Sequence, residues 1–234
     1  MISLDLNGKV VAVTGGFGSL GAGVAKTIVA AGAKLALLDR AEPTKAPQDL
    51  AQALALGGVD LGSGDSAREA IAQVIARFGR LDALVNIAGG FRWEKIDGGS
   101  LDPWDQLYQM NLRTAVNASQ AALPHLLAST NGSIVNVGAL AAAKAGAGMG
   151  AYAASKAGVA KLTEALAEEL KDRAVTVNAV LPSIIDTPAN RADMPDADFS
   201  RWVKPEQIAD LIVFLLSDRA RAITGALIPI AGRM

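Results

Sequence analysis

The sequence contains no cysteine, which excludes disulfides, thiolate metal ligands and thiol nucleophiles. Its one histidine, His125, follows Pro124 inside a helix-period stretch and has no acid–nucleophile arrangement around it, so it is read as structural. With no His/Cys cluster and scattered carboxylates, no metal site is expected; the acids of "DMPDAD" (193–198) are read as solvating a loop. Neither sign of charge dominates. Lys+Arg number 22 and Asp+Glu 23, so no basic field points to nucleic acid or an anionic membrane. The Ala/Gly-rich stretch at 138–160 is interrupted by Lys144 and Lys156 and is too rich in small residues for a membrane span. The opening "MISLDLNGKVVAVTGG" places no basic leader before an apolar core, so no signal peptide is expected and a cytoplasmic location fits.

What the chain does have is apolar residues, 51% of its 234 positions, enough for one domain spanning 1–234 with a substantial core. Six short runs read as strands: 9–14, 34–39, 81–89, 132–138, 175–182 and 225–232, with a seventh expected in "GGVDL" at 57–61. They are nearly continuous apolar runs, as strands covered on both faces should be. Helix-period stretches fall near 19–31, 48–56, 66–78, 103–128, 151–172 and 205–217, and "SARE" (66–69) reads as a capping box with Ser66 at the cap. Alternating strands and helices predict an α/β fold, a doubly wound parallel sheet with helices on both faces. The one long irregular stretch, 182–205, reads as a substrate loop.

The most informative unit is "VVAVTGGFGSLGAGVAKTIVAAGAKLALLD" (10–39): strand, glycines, Ala-rich helix, strand and acid in register. Glycines let the backbone approach a pyrophosphate whose charge sits at a helix N-terminus. Residues Gly15, Phe17, Gly18, Ser19, Leu20 and Gly21 would form that cradle. Asp39 is placed for the adenosine ribose hydroxyls and would repel a 2′-phosphate, which favours NAD; Arg40 beside it could pair with that phosphate and admit NADP.

Downstream, "YAASK" (152–156) sets Tyr152 one helical turn before Lys156, on the same face. A tyrosine near its usual pKa of ~10 is a usable acid, and a cation one turn away favours its phenolate.

With "TGGFGSLG", "NIAG" (86–89), Asn111 in "QMNLRT" and "YAASK" in this order, the chain resembles the short-chain dehydrogenase/reductase superfamily over essentially its full length. The resemblance implies a Rossmann-type sheet, a nicotinamide cofactor, and catalytic roles for Tyr152, Lys156 and Asn111, the last anchoring a water that relays protons to the lysine. It places Asp60 near adenine, Asn86, Ala88 and Gly89 along the cofactor, and Pro182, Ile185 and Thr187 at its carboxamide end, where Tyr152 and Lys156 also touch it. A homodimer or homotetramer built on the helices at 103–128 and 151–172 is expected on the same ground.

Two departures stand out. The family's catalytic serine, thirteen positions before the tyrosine, falls on Ala139, and the glycine loop reads Gly15-x-x-Gly18-x-x-Gly21. Dihydropteridine reductase is similar in both respects, and the likeness extends to "AGGF" (88–91), "GMGAY" (148–152) and "LPSIIDTPANRADMPDADFSRW" (181–202). It implies a reductase of a conjugated, electron-poor acceptor such as a quinonoid dihydropterin, with Phe91, Trp93, Ala139 and Met194 near substrate. Two alternatives stay open: a general carbonyl or 3-oxoacyl reductase in which Ser183 or a water replaces the missing hydroxyl, and a catalytically idle NAD-binding sensor or interaction subunit.

Overall fold

A computed structural model describes residues 4–50 and 52–234. Seven strands, β1 (Val10–Thr14), β2 (Lys34–Leu38), β3 (Leu54–Leu56), β4 (Ala83–Asn86), β5 (Gly132–Val137), β6 (Val175–Pro182) and β7 (Leu227–Ile230), form one sheet in the order β3-β2-β1-β4-β5-β6-β7. Every pairing is parallel. Strand order reverses between β1 and β4, which opens a crevice at the carboxyl ends of the strands.

Both faces of the sheet are covered, which is why the strands read as unbroken apolar runs. Val11 and Val13 of β1 pack with Leu35, Leu37, Val85 and Val135 against α1 (Ser19–Ala30) and α7 (Pro205–Leu216). The alternate residues Val10 and Ala12 pack with Ala36, Leu38, Leu84 and Ile134 against α2 (Gly64–Phe78) and α4 (Thr114–Ala128). Two further helices are α3 (Asp102–Leu107) and α5 (Gly150–Glu169). Among the described residues, no helix is long and apolar enough to cross a membrane.

Five local expectations are revised. The described residues of 48–56 hold no α-helix: a single 3-10 turn at Gln48–Leu50 precedes the short edge strand β3, whose Leu-Ala-Leu run pairs with β2 instead. The stretch 57–61 is not a strand; its Val59 N–H bonds to Asp39 O and turns the chain away. Helix α2 begins earlier than the "SARE" reading, because Ser63 rather than Ser66 is the cap and its hydroxyl accepts from the Ser66 N–H. The helix expected over 103–128 is interrupted by a π-helical turn at Tyr108–Arg113, which carries Asn111. In the loop after β6, Thr187 caps a short helix, α6 (Pro188–Asp193), and a fork from Arg191 grips Asp186 at 2.6 and 2.8 Å. That stretch is therefore folded on itself rather than irregular throughout.

Candidate active site

A cleft of about 1220 Å³ runs along the carboxyl ends of the strands. At one end the chain leaves β1 through Gly15, whose φ of +66° disfavours any side chain. A Cβ there would come within 2.9 Å of the Ala88 backbone, and a Cβ at Gly21 within 2.1 Å of Gly15 O. The loop is thus packed against the start of α1 as closely as backbone allows. Gly15 N and Gly16 N donate to Leu38 O and Gly18 N to Gly15 O, so it is the first-turn N–H groups of α1, from Ser19 on, that remain for an anionic pyrophosphate. Phe17, Gly18, Ser19, Leu20 and Gly21 line it, together with Asp39, Arg40 and Asp60. Asp39 also shapes the loop, its two carboxylate oxygens accepting from Phe17 N and Ala41 N at 2.9 Å each. The cradle, the acid and a cleft long enough to reach Tyr152 fit a dinucleotide.

Thr14, at the last position of β1, was not singled out by sequence. Its hydroxyl oxygen accepts from Ile87 N (3.0 Å) and Ala88 N (3.1 Å), fixing the turn that brings Ala88 and Gly89 into the cleft. The only hint was its place between an apolar run and the first glycine. Asn86, expected on the cofactor, lies beneath the cleft instead. It is buried, and its Nδ2 donates to Asn136 Oδ1 (2.9 Å) and Ser119 Oγ (3.1 Å), bracing β4 against β5 and α4.

At the other end stand Tyr152 and Lys156, one turn apart on α5 and both lining the cleft. Lys156 is buried and its Nζ donates to Val137 O at 2.8 Å. Burial alone pulls its ammonium down to about 8, while burial pushes the Tyr152 phenol up to about 12. The phenol is therefore neutral, a proton held rather than a phenolate. The Phe91 and Tyr152 rings meet edge to face, centroids 5.0 Å apart.

Asn111 does not touch the cleft. Its Oδ1 accepts from Gly90 N (2.7 Å) and its Nδ2 donates to Gly90 O (3.1 Å) and Ser155 Oγ (2.9 Å). Both amide protons are used, and the side chain ties the Gly89–Gly90 loop to α5. Ala139 is buried at the cleft wall. Ser183, the substitute hydroxyl, lines the cleft too, but its Oγ donates to Ala231 O at 2.8 Å. Pro182, Ile185 and Thr187 line the cleft as expected. Trp93 and Met194 do not: the Trp93 ring packs on Gly148 and donates to Ala147 O at 2.9 Å, and Met194 ends α6 outside the cleft. Gln106, Gln109 and Met110, from α3 and the π-helical turn, form a wall that sequence reading missed because the break in the helix was not visible.

A profile of the short chain dehydrogenases matches residues 9–198. Among curated proteins, the chain is 36% identical to 3-oxoacyl-[acyl-carrier-protein] reductase of Thermotoga maritima over 72% of each chain. It is 35% identical to 2,5-dichloro-2,5-cyclohexadiene-1,4-diol dehydrogenase of Sphingobium indicum over 97% of this chain and 96% of that one. Among solved structures, a short chain dehydrogenase from Burkholderia cenocepacia in complex with NADP superposes with a TM-score of 0.89 at 36% identity, covering 97% of this chain and 98% of that one. The 3-ketoacyl-(acyl-carrier-protein) reductase of Brucella melitensis, complexed with NADH, gives 0.87 at 27% identity, covering 98% and 99%. Sheet order, glycine cradle, Tyr–Lys pair and these likenesses agree: the chain belongs to the short-chain dehydrogenase family, oxidoreductases that work with NAD or NADP.

Proposed function

We propose that this chain is an NAD(P)H-dependent carbonyl reductase of the 3-oxoacyl type, with Tyr152 as proton donor. The observation that carries the reading is the Tyr152–Lys156 pair, the tyrosine half-buried and the lysine buried, on one face of α5 in the same cleft as the glycine cradle. Reduced nicotinamide, when bound, supplies the hydride that converts the carbonyl carbon to a carbinol. The chain's own part is the proton. The Tyr152 hydroxyl, held neutral by burial, hydrogen-bonds the carbonyl oxygen and gives up its proton as negative charge gathers there. Lys156, still largely charged at neutral pH, lowers the cost of the phenolate that results. Asn111 acts through others, holding Gly90 and Ser155 so that the loop beside Phe91 and the start of α5 keep their spacing.

The named relatives favour an oxoacyl substrate. One observation favours a second reading, a conjugated and electron-poor acceptor such as a quinonoid dihydropterin. Ala139 offers no hydroxyl, and the Ser183 hydroxyl, which also lines the cleft, donates its proton to Ala231 O. An acceptor that regains aromaticity on taking hydride needs a proton donor more than a second clamp on its oxygen. Following absorbance at 340 nm with NADH or NADPH separates the two. Faster turnover of an acetoacetyl thioester than of quinonoid dihydropterin, abolished in Tyr152→Phe, supports the first reading. The reverse order, equally dependent on Tyr152, supports the second.

A further inference from the structure

The charged groups of the cleft are distributed unevenly. Arg40 and Lys45 line it at the end where Asp39 and Asp60 stand, next to the glycine cradle. At the Tyr152 end the one cation lining it among the described residues is Lys156, which is buried and already donating to Val137 O. Of the cations nearby in the chain, Arg92 and Arg191 are paired, and Lys144, in the loop after Ala139, is exposed to solvent. Arg92, one residue past Phe91, pairs with Glu94 at 2.7 Å and reaches Gln106 at 3.3 Å. Arg191 grips Asp186, and Lys95 sits 6.0 Å from the Trp93 ring, which faces the 147–148 loop. The charge that does line this wall is negative: Asp105, in α3 beside Gln106. A carboxylate or phosphate brought here would shed water and find an acid instead of a partner, and uncompensated charge is costly to desolvate.

Apolar surface is concentrated at the same end. Phe91 lines the cleft yet is 58% exposed, and Met110, covering Gly90, is 42% exposed. A ring left more than half bare, edge to face with the proton donor, offers area that a flat substrate would cover.

We infer that the Tyr152 end of the cleft takes an uncharged, flat carbonyl compound and rejects one bearing a carboxylate or phosphate beside the reacting carbon. The inference rests on the reductase reading and narrows its substrate class; a thioester satisfies the charge requirement, and an aromatic or conjugated ketone satisfies both.

The test uses ethyl benzoylformate, benzoylformate and ethyl pyruvate, with NADH oxidation read at 340 nm. The aromatic ester is expected to exceed the aromatic acid in kcat/KM by about tenfold or more. Because ester and acid differ in intrinsic reactivity, the deciding figure is how their ratio changes in Asp105→Arg, where the acid should gain on the ester by about tenfold. Phe91→Ala should raise KM for ethyl benzoylformate several-fold more than for ethyl pyruvate, and Phe91→Leu, which keeps apolar bulk, should fall between. An acid:ester ratio unmoved by Asp105→Arg, or equal KM changes for both esters in Phe91→Ala, overturns the inference and leaves the reductase reading intact. In protein shown to bind NADH through tryptophan-to-nicotinamide energy transfer, no turnover of these three compounds beside good turnover of an acetoacetyl thioester overturns the inference alone. No turnover of the thioester either overturns the reductase reading, and this inference with it.

Discussion

Replacing Lys156 by methionine should abolish reduction and yet leave the cofactor-free protein no less stable at neutral pH. The lysine is buried, and its pKa falls from 10.5 to about 8 through desolvation alone. At about 1.4 kcal/mol per pH unit, holding the ammonium inside costs on the order of 3 kcal/mol. Methionine fills a similar volume without charge but deprives Val137 O of its donor, a loss of about 1–3 kcal/mol. The net at pH 7 is a gain between roughly zero and 2 kcal/mol. The pH dependence is sharper. The folded protein holds this proton less tightly than the unfolded chain, so the cost is fully present below the folded pKa of about 8 and disappears as pH rises toward 10.5. The advantage of the methionine variant over wild type should therefore shrink by about 2 kcal/mol between about pH 7 and about pH 9.5. Urea unfolding of both proteins without cofactor, across that range, measures it. A stability difference that does not change with pH would refute the reasoning, because the lysine would then not be carrying a burial penalty.

Three further outcomes are expected. Thr14→Val keeps the shape of the side chain and removes the acceptor shared by Ile87 N and Ala88 N; it should cost about 2–4 kcal/mol in urea unfolding and weaken NADH binding by fluorescence titration. Gly21→Ala drives a Cβ to within 2.1 Å of Gly15 O, so the loop must move; isothermal titration should show NADH affinity lost by about tenfold or more while circular dichroism stays that of a folded α/β protein. Ala139→Ser places a hydroxyl on the cleft wall in an extended backbone that accepts any residue; kcat for an acetoacetyl thioester should rise by as much as about a hundredfold if a second donor to the oxygen is what the wild-type site lacks.

How far the sequence foretold this depended on how local the signal was. The long strands were legible because burial on both faces demands unbroken apolar runs, and β1, β2, β5 and β6 fall within a residue of expectation. The glycine cradle and the Tyr–Lys turn were legible because backbone approach and helical spacing leave marks on adjacent residues. β3 was mistaken for helix because a three-residue, half-buried edge strand carries almost no period of its own. The π-helical turn at 108–113 was hidden because its cause is tertiary: Asn111 turns to hold Gly90 and Ser155, contacts 21 and 44 residues away in the chain. Trp93 looked like a substrate residue for its nearness to Phe91, but the ring is drawn instead to the gap above Gly148 and the free carbonyl of Ala147. Asn86 fell under the site rather than in it because its neighbour across the sheet is Asn136, a pairing set by strand register.

The central claim is that Tyr152 gives the proton. The most direct measurement is the rate of NAD(P)H-dependent reduction of an acetoacetyl thioester by wild type and by Tyr152→Phe, with cofactor affinity measured in parallel. The account predicts that phenylalanine, which keeps the ring against Phe91 and loses only the hydroxyl, leaves cofactor binding within about twofold and lowers kcat by on the order of 10²–10⁴. A phenylalanine variant that binds cofactor and turns over at the wild-type rate would contradict it.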